Sequence, residues 1–134
     1  MAELFIDSAA IIAEAVRRDT HHVRAMQFLE GLPRGQIFHL SNYIVDETLT
    51  RLLRLVGLDD AVRLARDLKV SRIHTIHQIT EDIQEDALEI FSGQGKMRLS
   101  FTDCTSVALM RRLDITDIFT FDRDFTALGL TVRP

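Results

Sequence analysis

Tryptophan is absent from this 134-residue chain, and tyrosine and cysteine occur once each. The single thiol, Cys104, excludes an internal disulfide and any zinc site of the Cys-x-x-Cys kind. No apolar run approaches the ~20 residues that a helix needs to cross a bilayer. The start of the chain carries neither a basic stretch nor a cleavage-site pattern. The expectation is a soluble, cytoplasmic protein with no membrane partner. Excess positive charge is missing too: the net charge is −4, so there is no simple electrostatic case for binding a polyanion. Lysine is scarce. Lys69 and Lys96 stand against fourteen arginines, and arginine grips phosphate with a bidentate fork that lysine lacks. A GC-rich coding bias explains the same ratio equally well.

What is present is an alternation of short apolar runs with helical periodicity. Residues 3–6, 36–40, 73–79, 117–121 and 130–132 read as strands. Between them lie helical stretches at 9–18, 21–31, 43–56, 59–68, 80–91 and 100–113. Thr20, Ser41 or Asn42, Thr80 and Ser100 stand as N-caps, and Gly31 and Gly57 as stops. The spacing turns Val23, Met26 and Leu29 inward on the second helix, and Val45, Leu49, Leu52, Leu53 and Val56 on the third. On the fourth it turns Val62, Ala65 and Leu68 inward, and on the fifth Ile83, Ala87, Ile90 and Phe91. Strands separated by helices require parallel crossovers, so the predicted fold class is α/β. It is a three-layer sandwich around a mostly parallel, five-stranded sheet. No repeat, low-complexity segment or linker interrupts it, so residues 1–134 read as one domain.

Two of the strands run into carboxylates. Leu4-Phe5-Ile6 is followed by Asp7, and Ile118–Phe121 by Asp122-Arg123-Asp124. Ligands of open α/β sheets sit just beyond the carboxyl ends of the strands. Asp103 and Glu47 lie near helix N-termini that face the same end. Each acid also has a plain structural explanation. Asp7 suits an N-cap, Ser100-x-x-Asp103 is a capping-box pattern, Asp122 and Asp124 suit a turn, and Glu47 lies off its helix's main apolar stripe. Taken together, four carboxylates at one edge need raised pKa values or a cation. Oxygen-only donors select a hard ion, Mg²⁺ or Mn²⁺. The five histidines form no His-x-x-x-His pair for zinc, and His74 and His77 read as surface residues.

The segments FIDSAAIIA, VDETLTRLL, SFTDCTSVALMRR and TFDRDF together resemble the PIN domain, a metal-dependent nuclease fold. Within it the chain is similar to the small VapC-type toxins of VapBC toxin–antitoxin systems. The likeness runs through the whole chain in order. It implies that Asp7, Glu47, Asp103 and Asp122 are the catalytic, metal-holding acids. Ser8 and Thr120 match supporting hydroxyl positions, and Asp124 a peripheral one. Where the family often has a second Ser or Asn after the first acid, this chain has Ala9.

The resemblance further implies an Mg²⁺-dependent endoribonuclease that uses an activated water and leaves a 5′-phosphate and a 3′-hydroxyl. Its implied partners are an RNA substrate, a cognate antitoxin protein and a second copy in a homodimer, through helices 9–18, 21–31 and 43–56. Arg51, Arg111 and Arg123 are the candidate substrate contacts, with solvated helix faces as the alternative. The poverty of tyrosine and tryptophan argues against a base-stacking platform, leaving specificity to shape or RNA structure. Two other readings compete. A phosphoacceptor receiver domain would need paired acids after the first strand and a late lysine, and this chain has neither. A PIN-like scaffold that binds RNA or protein without cutting would be expected to have lost one of the acids.

Overall fold

The computed structural model describes residues 3–134. Its strands are β1 (Leu4–Ile6), β2 (Phe38–Ser41), β3 (His74–His77), β4 (Asp117–Phe119) and β5 (Thr131–Arg133). Its helices are α1 (Ser8–Ala15), α2 (His22–Glu30), α3 (Asn42–Leu55), α4 (Leu58–Val70), α5 (Glu81–Ser92) and α6 (Phe101–Leu113), with a 3₁₀ turn at Arg123–Leu128. The strands form a five-stranded sheet in the order β3-β2-β1-β4-β5, parallel at every pairing. β1 is central, with Phe5 opposite His39 on one side and Ile118 on the other.

The order reverses at β1: the chain steps outward to β2 and β3, then crosses back to β4 and β5. Right-handed crossovers therefore place α1–α4 on one face of the sheet and α5–α6 on the other. The core between these layers includes Phe5, Ile6, Leu40, Ile44, Val107, Met110, Ile118, Phe119 and Phe125, all fully buried. β1 is buried at all three positions. Such a strand reads as a continuous apolar run because helices cover both of its faces.

The predicted elements are all present, with shifted edges. α1 stops at Ala15, three residues earlier than expected, because Val16 takes an extended conformation and joins a small cluster with Ile12, Leu52 and Ala61. The cap of α2 is His21 rather than Thr20, and no side chain caps it. β2 starts two residues later than predicted, and β3 is confined to four residues. β4 ends at Phe119, not residue 121, although Thr120 still donates its N–H to the Arg133 carbonyl at 2.9 Å.

The predicted apolar stripe of α3 is rotated. Ile44, Thr48 and Leu52 are its buried residues, while Leu53 is 51% exposed. Val23, Val56, Val62 and Phe91, expected inward, are exposed as well. On α3 and α4, Leu49, Leu53, Leu58, Val62 and Ala65 line an apolar groove of about 410 Å³. The histidines expected at the surface are half-buried. His77 stacks on His39, with Nε2 2.9 Å from His39 Nδ1, and its pKa is lowered by burial first and the neighbouring imidazole second.

Phe5→Ala should cost about 3–5 kcal/mol, since it empties a closed position in the central strand. Phe91→Ala, at a 41% exposed position that only edges onto Phe101 at 5.9 Å, should cost at most about 1.5 kcal/mol. Urea denaturation of the two variants checks both, and equal losses would contradict the layer assignment.

Candidate active site

Asp7 leaves the central strand and stands at the N-cap position of α1, in the extended conformation a cap requires, yet its side chain makes no capping hydrogen bond. It points into the protein instead and is only 4% exposed. Oδ2 accepts a 2.8 Å hydrogen bond from the Thr120 hydroxyl, and Oδ1 is buried with no hydrogen-bond partner. The same Thr120 oxygen accepts from the Asp122 N–H at 3.2 Å. One hydroxyl thus clasps the ends of β1 and β4 together, at the point where the strand order reverses.

Asp103 serves two purposes. Its Oδ2 accepts from the Ser100 N–H at 3.0 Å, and its own N–H donates to Ser100 Oγ at 3.0 Å, completing the capping box of α6. The capping explanation of this residue is therefore true, but it engages only one carboxylate oxygen. Asp122 is similar: its Oδ1 accepts from the Asp124 N–H at 2.9 Å and opens the 3₁₀ turn. Glu47 lies on the second turn of α3, half-buried, with Oε2 sealed from solvent and unpartnered.

The four acids share one electrostatic environment. The Asp7 carboxyl is raised from 3.8 to about 7, by burial first and then by the charge of Asp103, with Glu47 adding and the Thr120 hydrogen bond opposing. Asp103 is also raised. Burial is its largest cause, hydrogen bonds from Ser100 pull it down, and the charges of Glu47 and Asp122 push it up. Asp7 thus feels Asp103 and Glu47, and Asp103 feels Glu47 and Asp122, which links the four acids in one neighbourhood.

Among the described residues no three acidic, histidine or cysteine side chains are already gathered into a cage. The donor set nonetheless fits a hard divalent cation. It is all oxygen, and it contains two buried acceptors, Asp7 Oδ1 and Glu47 Oε2, that nothing among the described residues satisfies. An ion that keeps several waters needs only one or two of the carboxylates directly.

Around this edge the predicted residues separate. Ser8 is buried as the first residue of α1. Asp124 and Arg123 are exposed, and with Arg51, Asp122, His21 and Phe121 they line a groove of about 550 Å³. Arg111 is not brought there. It occupies the last turn of α6, eight residues and about 12 Å of helix beyond Asp103. Its neighbour Arg112 is held by Asp86 at 2.8 Å. Cys104 is buried, and burial followed by the Asp103 charge pushes its thiol pKa up, so it is poorly suited to nucleophilic work.

Two aromatic rings do meet at this edge. The His21 and Phe121 rings stack face to face, 4.3 Å apart and 4° from parallel. Phe121 was legible as a strand residue beside an acid, whereas nothing in the sequence marked His21.

The fold and the acids define the class of protein: this chain belongs to the PIN domain family, whose model matches residues 4–129. It is 32% identical over 132 residues to the 23S rRNA-specific endonuclease VapC20 of Mycobacterium tuberculosis (the same in strains CDC 1551 / Oshkosh and H37Rv), covering 98% of both chains. The crystal structure of M. tuberculosis VapC20, described as a sarcin–ricin loop cleaving toxin, superposes with a TM-score of 0.89 over 98% of this chain and 100% of that one. FitAcB from Neisseria gonorrhoeae shares the fold at a TM-score of 0.72 and 19% identity, covering 98% and 96% of the two chains.

The buried carboxylate carries a cost with a definite sign. A carboxyl whose folded pKa lies above its unfolded value destabilises the fold as it ionises. For Asp7 stability should fall as pH rises from about 4 to about 7, by at most about 4 kcal/mol. Asp7→Asn should therefore stabilise the metal-free protein at pH 8, and by much less at pH 4. Mg²⁺ should raise the melting temperature of the unaltered protein more than that of the variant. Thermal melts at both pH values, with and without Mg²⁺, check this. A variant less stable than the parent at pH 8 would contradict the burial argument.

Proposed function

We propose that the protein is a divalent-metal-dependent endoribonuclease, the toxin of a toxin–antitoxin pair, acting on structured ribosomal RNA of the sarcin–ricin loop type. The observation that carries the catalytic part is the acid cluster itself: Asp7 and Glu47 each leave a buried oxygen unpartnered, at an edge they share with Asp103 and Asp122. The substrate follows from the likeness to VapC20, which extends over 98% of the chain. A cytoplasmic location accords with such a substrate, and no described helix is long and apolar enough to cross a membrane.

In this reading Asp7, Asp103 and Asp122 hold Mg²⁺ or Mn²⁺, directly or through water, and Glu47 completes the site or orients the attacking water. The ion supplies positive charge for the phosphate oxygens and makes water more acidic. Thr120 ties the Asp7 carboxylate to the Asp122 backbone, so these two segments are held together before substrate arrives. Water oxygen bonds to phosphorus, the bond from phosphorus to the 3′-oxygen breaks, and a proton passes to that oxygen. The products are a 5′-phosphate and a 3′-hydroxyl. The RNA 2′-hydroxyl is not required as nucleophile.

Arg51 and Arg123, beside Asp122, supply phosphate contacts in a chain with no overall positive charge. The apolar α3–α4 groove, with Leu53 and Leu58 more than half exposed, supports the reading of a protein that is covered by a partner. An antitoxin and a second copy of the chain are the proposed partners.

Asp103→Asn tests the catalytic proposal cleanly. The amide oxygen can still accept from Ser100 and keep the α6 cap, while the carboxylate charge is lost. Cleavage of ribosomal RNA, mapped by primer extension, should require Mg²⁺, stop with EDTA and fall at least about 100-fold in the variant. Undiminished, EDTA-resistant cleavage would refute the role of the acids. A folded, inert protein that still binds RNA would favour the non-cutting scaffold.

A further inference from the structure

The His21–Phe121 stack stands at the rim of the acid site and has no part in the hydrolysis described above. Its two rings come from separate places, the α1–α2 connection and the segment after β4, so tertiary packing alone brings them together. Both are held from behind. Phe121 meets the fully buried Phe119 edge-on at 6.1 Å, and Phe119 packs on Phe28 at 4.7 Å. The His21 N–H donates to Asp19 Oδ1 at 2.8 Å, fixing the backbone beneath the imidazole. His21 occupies the N-cap position of α2, yet its side chain makes no capping bond and is exposed. One face of the imidazole lies on Phe121.

The pair lines the same groove as Asp122, Arg51 and Arg123, and Phe121 immediately precedes Asp122. That groove, at about 550 Å³, is of the size that encloses a small ligand. A pre-stacked ring pair with cations beside it suits a nucleobase and its phosphates, because every base presents a π-face and ordering the pair costs little further entropy. We infer that His21, backed by Phe121, is a base-stacking subsite for the nucleotide next to the scissile phosphate, with Arg51 and Arg123 on the flanking phosphates. This rests on the reading of the protein as a ribonuclease and names a specificity contact within it.

The test uses a hairpin RNA of the sarcin–ricin loop with 2-aminopurine placed at successive loop positions. It is titrated in Mg²⁺ with the Asp7→Asn protein and with the same protein also carrying His21→Ala or His21→Tyr. Stacking should quench the fluorescence at one position. His21→Ala should abolish that quenching and weaken binding roughly tenfold, and His21→Tyr should retain both. In the cleaving protein, His21→Ala should raise KM by a similar factor with little change in kcat, and His21→Tyr should restore it. Unchanged quenching and KM in His21→Ala would overturn the subsite. So would equal losses in His21→Tyr, which would mean that the imidazole matters for something other than its ring face. If cleavage stops in Asp7→Asn but ignores His21, the subsite falls and the nuclease stands. If the unaltered protein neither binds nor cuts this RNA, both fall.

Discussion

The rest of the site depends on a carboxylate held where water cannot solvate it. Asp7 ends the central strand of a sheet covered on both faces, so its side chain is committed to the interior by the strand that carries it. Thr120 gives it one hydrogen bond, which leaves the second oxygen and much of the charge uncompensated. Three further acids lie nearby: the charges of Asp103 and Glu47 make ionisation of Asp7 harder, and those of Glu47 and Asp122 make ionisation of Asp103 harder. A folded protein tolerates such a concentration of like charge only because the apolar core beneath it is large and closed, running from Phe5 through Ile118 and Phe119. The natural relief would be a counter-ion that accepts oxygen donors, so the unfavourable charge and the proposed chemistry share one place.

The scaffold achieves this with ordinary secondary-structure devices. Strands in parallel order all end at one edge, and helices that follow them begin there, so caps and catalytic candidates draw on the same residues. Asp103 caps α6 with one oxygen and faces the acids with the rest of its carboxylate. Asp122 does the same for the turn that follows β4. This double use anchors both side chains through backbone hydrogen bonds, which pre-orients them better than a free rotamer would. It also explains why reading Asp103 as a cap and Asp122 as a turn residue was correct and yet incomplete.

The order of elements and the parallel sheet were legible because each rests on local pattern. Apolar runs of strand length alternate with helical periodicity, and the acids stand directly after strands or in the first turns of helices. What failed was the rotation of faces. On α3 the sequence offers leucines at 49, 52, 53 and 55, and periodicity cannot tell which of them meet α1 and which line the groove against α4. The structure selects Ile44, Thr48 and Leu52 for burial, including a threonine that hydropathy would turn outward. Val23, Val62 and Phe91 were misjudged for the same reason, because one apolar residue on a mixed helix does not define its inner face.

By itself the sequence determined the fold class and marked four carboxylates, after strands or near helix starts, as candidates to hold an ion, since these follow from short-range order along the chain. Tertiary structure alone decided that Asp7 turns inward rather than capping α1, and that one hydroxyl on Thr120 binds two strand ends. It placed Arg123 beside the acids and Arg111 a helix length away, and it brought His21 onto Phe121. Each of these depends on segments distant in the chain meeting in space, and the packing of whole layers, not any neighbouring residue, sets that meeting.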